Sequence, residues 1–296
     1  MTQTRYAAID IGSNAIRLAV VSIIEDVKGN SFKTKKISLT RVPIRLGEDV
    51  FGEGVVSEAK FSDLLNAMEG FSSLIKAYRV TKFKACATSA MRGAKNGNKI
   101  LAQIKKTSGI DIEIINGKQE AEYIFNAGIE KFLKEGKNYL YIDVGGGSTE
   151  LSLLIDGDRK ASASFQLGTV RILKKGWQKE EWSKMKNWIH KYTKNVKFEA
   201  AIGSGGNINS YYKMSSCENK LLKFKELQQC YSSLKALTYN QRMVQFSLKY
   251  DRADVIVPAG KIFLNILNET NIKNILVPKL GLADGIINEM VSEQKN

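Results

Sequence analysis

The chain has 296 residues, 43% hydrophobic and 25% charged, a globular composition long enough for two domains of ordinary size. No apolar run approaches the ~20 residues that span a bilayer, and Met1-Thr-Gln-Thr-Arg5 runs straight into a strand with no visible signal peptide, so no membrane partner and a cytoplasmic location are expected. Lys and Arg outnumber Asp and Glu 45 to 30, a net charge of +15 that favours polyanions, among which phosphate chains fit as well as nucleic acid.

The rare residues narrow the chemistry. Cys86, Cys217 and Cys230 are scattered, lack metal-site spacing, and read as small buried residues in a reducing compartment. The single histidine, His190, lies in a Lys-rich helical stretch, which argues against a His-based metal site, a two-histidine relay and a Ser-His-Asp triad.

In chain order, residues 5–11 and 15–24 are expected to form a hairpin, and 35–42 a third strand. Its turn carries Asp10, Gly12, Ser13 and Asn14, with Arg17 on the returning strand. Arg45 to Gly54 reads as a Gly-rich loop. A helix over about 57–78 follows, with Ser57 as N-cap and Phe61, Leu64, Leu65, Met68, Phe71, Leu74 and Ile75 at helical spacing. Phe83 opens a strand ending in Thr88 and Ser89, and a helix-like segment then presents Arg92. These three are close enough to contact one anion; a capped helix with a solvent arginine accounts for the pattern equally well. Residues 110–115 alternate as a strand, and Asn116 and Gln119 stand at capping-box spacing at the start of the next helix. Glu120 falls in its first turn. There a glutamate is usually only a partner for the helix dipole, but this one follows a strand end, where open α/β sheets place their sites.

The chain is organised around Tyr139 to Leu154, a strand, a tight turn and a second strand. Three glycines, Gly145, Gly146 and Gly147, remove every Cβ from the turn, so the backbone can approach an anion and direct N–H groups at it. Ser148 and Thr149 can add hydroxyl donors, and Asp143 and Glu150 are hard oxygen ligands suited to Mg²⁺ shared with substrate phosphates. Tyr6 to Val21 aligns with this stretch without a gap, 133 positions earlier: Asp10 falls on Asp143, Gly12 on Gly145, and Arg17 where the later copy has Glu150. Two Asp-x-Gly hairpins in one register point to two similar domains facing each other across a phosphate-binding cleft, against the alternative of two ordinary glycine-turn hairpins. Asp10 joins Asp143 and Glu150 as a candidate metal ligand.

Beyond this hairpin, residues 160–165 read as a strand, Leu167 to Arg171 as a turn into helix, and 177–195 as a helix rich in Trp and Lys. A strand from Phe198 ends in Gly203, Ser204, Gly205 and Gly206, a third glycine loop opening a helix and so suited to an anion. Residues 226–249 read as two short helices, the stretch from Asp251 as leading into a helix that ends at about 269, 274–277 as the last strand, and Gly281 onward as the final helix. The domains are expected at 1–124 and 125–296, joined compactly near 124–136, with the final helix about 283–296 packing back on the first.

With these loops in place the chain resembles the exopolyphosphatase/guanosine pentaphosphate phosphatase (Ppx/GppA) family, short two-domain form, over almost its whole length. The marks are Ala8 to Asn14, Arg45 to Glu48, Ala87 to Arg92, Ile115 to Ala121, Ile142 to Glu150, Gly203 to Gly206 and Arg252 to Gly260. The resemblance implies an α/β, actin-like (sugar kinase/Hsp70-type) fold, a duplicated ribonuclease H-like arrangement with an interdomain cleft, and a homodimer. It implies an Mg²⁺-dependent phosphatase acting on inorganic polyphosphate or guanosine pentaphosphate, with no specific nucleic acid partner. By the same resemblance Glu120 is the general base, Asp143 and Glu150 hold Mg²⁺, Arg92 binds phosphate, and Asp10 to Asn14 with Gly145 to Thr149 form two phosphate loops. Two positions depart from the family pattern: Ala15 stands where serine is common, and Ala283 where Gly-Leu-Arg-(Glu/Asp)-Gly has arginine.

Overall fold

The computed structural model describes residues 4–25 and 32–293, and the chain divides into two compact units. Positions 1–3, ahead of the first strand, and 294–296, the end of the expected final helix, lie outside the described residues. Among the described residues, no helix is long and apolar enough to cross a membrane.

The first unit is Met1–Gly128 with Gly281–Asn296. Its elements are β1 (Arg5–Ile11), β2 (Ile16–Glu25), β3 (Phe32–Val42), α1 (Leu46–Glu53), α2 (Glu58–Ala77), β4 (Lys82–Ala87), α3 (Ser89–Gly93), α4 (Gly97–Ser108), β5 (Ile112–Ile114) and α5 (Gly117–Phe125). The sheet order is β3-β2-β1-β4-β5, with β1, β2 and β3 antiparallel and β4 and β5 parallel to β1. β1 is central and buried from Tyr6 to Ile11, so its sequence is an apolar run interrupted by Asp10 rather than an alternation. Ser57 caps α2 by accepting from the Lys60 N–H, and Leu64, Met68, Phe71 and Ile75 form its buried stripe.

One expectation changes here. Arg45 to Gly54 is largely helix, not loop. Leu46 and, one turn on, Val50 and Phe51 are buried, Glu48 and Asp49 sit in the favourable first turn, and the Lys60 ammonium reaches both at 2.9 Å. Three glycines in ten residues hid that stripe.

The second unit is Ile129–Leu280. It contains β6 (Asn138–Val144), β7 (Thr149–Ile155), β8 (Asp158–Phe165), α6 (Thr169–Lys175), α7 (Lys179–Thr193), β9 (Phe198–Ser204), α8 (Gly206–Met214), β10 (Leu221–Lys223), α9 (Phe224–Ala236), α10 (Tyr239–Gln245), α11 (Tyr250–Ala253), α12 (Ile256–Thr270) and β11 (Asn274–Leu276). The sheet order is β10-β11-β9-β6-β7-β8. Leaving out the short edge strand β10, it repeats the first sheet: an antiparallel meander of three strands, then two strands parallel to the first. The repetition reaches single residues. A register shift falls between Val20 and Val21 in the first unit and between Leu153 and Leu154 in the second, the same place in each copy. The fold is therefore a duplicated, actin-like α/β fold.

The core of the second unit gathers around α12, which buries Ile256, Ala259, Ile262, Phe263, Ile266 and Leu267 among strand residues such as Leu140, Ile142 and Ile275. Pro258 lies in the first turn of this helix, where its missing N–H removes no helical bond.

The last helix, α13 (Leu282–Ser292), belongs to the first unit, where it contacts α5, β1, β2 and β4. The chain thus leaves the first unit after Gly128 and returns to it at Gly281, so 281–296 lie outside the second unit.

Candidate functional site

The turn of each hairpin is closed by the same bond. Gly12 N–H donates to Ala15 O at 3.2 Å, and Gly145 N–H to Ser148 O at 3.0 Å. What braces the turn differs.

In the first unit, Gly47 N–H donates to Ser13 O at 2.8 Å, and the hydroxyls of Ser13 and Ser89 are 2.9 Å apart. Thr88 donates its N–H (3.1 Å) and hydroxyl (3.4 Å) to Ile11 O, so its side chain anchors the end of β4 rather than facing a ligand. Arg92, on α3, donates to Ile115 O, just ahead of the capping box in which Asn116 and Gln119 start α5. The Arg92 guanidinium also stands 4.0 Å from the Glu120 carboxylate, whose side chain is only 14% exposed. Asn14, Ser13, Ser89, Arg92 and Glu120 therefore all belong to the ends of β1, β4 and β5 and the segments that follow.

Across the strands, Glu113, Cys86, Asp10, Arg17 and Arg41 occupy one row. Residues paired this way project from the same face. The Arg17 guanidinium lies 2.7 Å from the nearly buried Asp10 carboxylate. A carboxylate already met by a guanidinium is a poor cation ligand, which removes Asp10 from the metal set. Burial pushes the Cys86 thiol up to about 12, with the nearby carboxylates adding to the rise.

In the second unit the equivalent row is Ser204, Asp143, Glu150 and Ser164. Here two carboxylates are direct cross-strand partners on one face. Glu150 is buried, and its Oε1 accepts from the Ser164 hydroxyl at 2.8 Å. Gly205, at φ +94°, presses its backbone against Asp143; a Cβ there would lie 3.0 Å from Oδ1. Two carboxylates on one face, one of them buried, suit a cation. Among the described residues no group of three or more His, Cys, Asp or Glu could hold a metal by itself. A pair of carboxylates is the donor set that suits Mg²⁺, which takes one or two and fills the rest of its shell with water and phosphate oxygens.

The start of α6 holds the glycine turn of this unit. Thr169 N–H donates to Gly145 O at 3.0 Å, Val170 and Arg171 N–H to Gly146 O at 2.8 and 3.0 Å, and Arg171 Nε to Gly147 O at 2.8 Å. In a trans peptide C=O and N–H point opposite ways, so the N–H groups of Gly146, Gly147 and Ser148 are directed away from α6. Backbone N–H groups turned outward together are an arrangement suited to an anion. Thr149 is fully buried and donates its hydroxyl to Leu167 O at 2.5 Å, so it anchors this corner and is not a ligand donor. Gly168 makes the approach feasible: a Cβ there would lie 2.3 to 2.5 Å from Gly146 and Gly147 backbone atoms.

The third glycine loop serves several ends. Gly203 is a packing position, where a Cβ would come 2.9 to 3.0 Å from Ile208 and Ile275. Ser204 donates to Leu280 O at 3.1 Å. Beside Gly206 at the start of α8 lies the Arg252 guanidinium, whose Nη1 donates to Asn207 Oδ1 at 2.6 Å. Arg252 places a positive group at the positive end of a helix. Sequence reasoning assigned no role to Gly168, Arg171, Ser164 or Arg252. Arg252 and Gly168 stood in segments already singled out, but only the fold brings them to the loops.

A model of the Ppx/GppA phosphatase family matches residues 22–294. Exopolyphosphatase 1 of Mycobacterium tuberculosis is 27% identical over 168 residues, 57% of this chain and 47% of that protein. Guanosine-5'-triphosphate,3'-diphosphate pyrophosphatase of Photobacterium profundum is 22% identical over 318 aligned positions, 98% of this chain and 60% of that protein. The crystal structure of the Aquifex aeolicus member of the Ppx/GppA family superimposes with a TM-score of 0.76 at 25% identity, covering 99% of each chain. The chain spans about half the length of the first curated relatives it matches.

Proposed function

The chain belongs to the Ppx/GppA phosphatase family, and from that premise we propose that it hydrolyses the terminal phosphoanhydride bond of inorganic polyphosphate. The observation that carries this reading is the Asp143–Glu150 carboxylate pair beside a glycine turn whose N–H groups are directed away from α6. Backbone N–H groups from the Gly145 to Thr149 turn, and from the Gly12 to Asn14 turn, bind phosphate oxygens. Asp143 and Glu150 hold Mg²⁺, which when bound neutralises phosphate charge. Glu120 takes a proton from a water that attacks the terminal phosphorus in line. The new P–O bond forms as the bridging P–O bond breaks, and the shortened chain leaves with its electron pair. Arg92 stabilises charge on the transferred group, and Ile115 O fixes that guanidinium. Positioning and electrostatics supply most of the acceleration. A net charge of +15 draws polyanions in and makes their binding sensitive to salt.

A second reading, hydrolysis of the 5′-phosphate of guanosine pentaphosphate, is favoured by the similarity to the Photobacterium pyrophosphatase across 98% of this chain. The test is Mg²⁺-dependent phosphate release from long polyphosphate, short polyphosphate and guanosine pentaphosphate side by side. Release from polyphosphate that disappears in Glu120→Gln, with binding retained, is the expected result. Release from guanosine pentaphosphate alone selects the second reading. Turnover retained in Glu120→Gln removes Glu120 as the base, and binding without release from any substrate points to a non-catalytic sensor.

A further inference from the structure

The helix that carries Glu120 is fixed at both ends by groups remote from it in sequence. Its start is tied through Arg92 to Ile115 O and closed by the Asn116–Gln119 capping box. Its end rests on one face of α13, at the far end of the chain. Gly285 sits so close that a Cβ there would lie 1.7 Å from Tyr123 O and 2.4 Å from Tyr123 C. One turn on, Asn288 Nδ2 donates to Asn126 O, the C-cap of α5, at 2.8 Å. Glu289 accepts from the Tyr123 hydroxyl at 3.1 Å and from Lys84 Nζ at 3.3 Å. Positions 285, 288 and 289 share one face of a helix, and all three meet the last turn of α5. Glu120 stands one turn before Tyr123.

A contact of backbone against a bare Cα leaves little room for adjustment. It sets the distance between two helices with less slack than interdigitating side chains allow. A helix transmits that placement along its axis as a rigid rod. We propose that α13 is the positioning element for Glu120, with Gly285, Asn288 and Glu289 fixing the placement of α5 and so of its carboxylate. The inference rests on Glu120 acting as the base. It gives the last helix a share in catalysis although no residue of it touches the substrate.

The experiment is a double-mutant cycle on the full chain, measuring phosphate release from polyphosphate together with substrate binding. Glu120→Gln alone tests the premise; if it retains turnover, the proposal falls with the base assignment. If it removes all but a small residual turnover, Gly285→Ala should lower kcat about 100-fold, the scale of a misplacement near 1 Å, while KM stays within about twofold. On the Glu120→Gln background the same change should leave residual turnover unaltered, because the group it displaces is gone. Tyr123→Phe and Asn288→Ala keep the backbone contact and carry the test if Gly285→Ala does not fold. Each should lower kcat a few-fold with KM steady and be silent in the Glu120→Gln background, and Glu289→Gln, which keeps an acceptor oxygen, should restore most of the kcat that Glu289→Ala loses. Unchanged kcat in these variants, or equal losses with and without Glu120, would overturn the proposal and leave α13 a covering helix only.

Discussion

The two hairpins share a backbone and differ in charge. In each, a glycine N–H closes the turn on the carbonyl three residues on, and an aspartate faces the residue seven positions ahead across the strands. In the first copy that residue is Arg17, 2.7 Å from Asp10, and the row neutralises itself. In the second it is Glu150, buried, and the row concentrates negative charge. Duplication supplied one geometry twice, and a single cross-strand position decides whether the row pairs a carboxylate with a guanidinium or sets two carboxylates side by side. The bracing differs in the same way. Gly47 and Ser89 hold the first turn, while five donors of α6, the Thr169 hydroxyl among them, hold the second.

The largest expected effect comes from breaking the brace of the second turn. Gly168→Ala would drive a Cβ into the Gly146–Gly147 backbone. It should cost about 3 kcal/mol and abolish polyphosphate binding, read by urea unfolding and by titration. Wild-type affinity in a folded Gly168→Ala protein would contradict anion binding by this turn.

Next is the conversion of the first row into the second. Arg17→Glu removes the partner of a nearly buried carboxylate and adds a like charge opposite it. Because Arg17 is partly exposed, the loss should be about 2 kcal/mol, and part of it should return on adding Mg²⁺. A melting temperature that does not respond to Mg²⁺ would show that the row alone does not make a cation site.

The smallest effect concerns Cys86, whose counterpart beside Asp143 is Ser204. Burial pushes Cys86 up to about 12, and Tyr123 likewise to about 12. Burial opposes the charge on Lys84, but contact with Tyr123 and Glu289 outweighs it and raises its pKa. In each case the folded protein keeps a proton that the unfolded chain releases. Stability should therefore fall as pH rises from about 9 toward 12. Cys86→Ser should make the urea midpoint fall less between about pH 8 and about pH 10.5; an unchanged slope would assign the effect elsewhere.

These contrasts show which parts of the molecule were legible in the sequence. Strands and capped helices were, because their signals are local. The Asn116–Gln119 box and the Ser57 cap lie within a turn of what they cap, and the offset of 133 between Asp10 and Asp143 needs only the sequence compared with itself. What escaped depends on approach between distant segments. α1 hid among glycines, β10 has only three residues, and Gly168 and Gly285 matter through backbone they meet more than 20 and 160 positions away. The roles of Thr88 and Thr149 were misread for the same reason. A hydroxyl in a phosphate-like turn reads as a ligand donor until the carbonyls of Ile11 and Leu167 are seen to take it.

The most direct test of this account is calorimetric titration of Mg²⁺ into the wild-type protein and Glu150→Arg, which copies Arg17 into the second row. The account predicts Mg²⁺ binding in the wild type, strengthened by a polyphosphate analogue and lost in Glu150→Arg while the fold persists. Equal Mg²⁺ affinity in both proteins would contradict it.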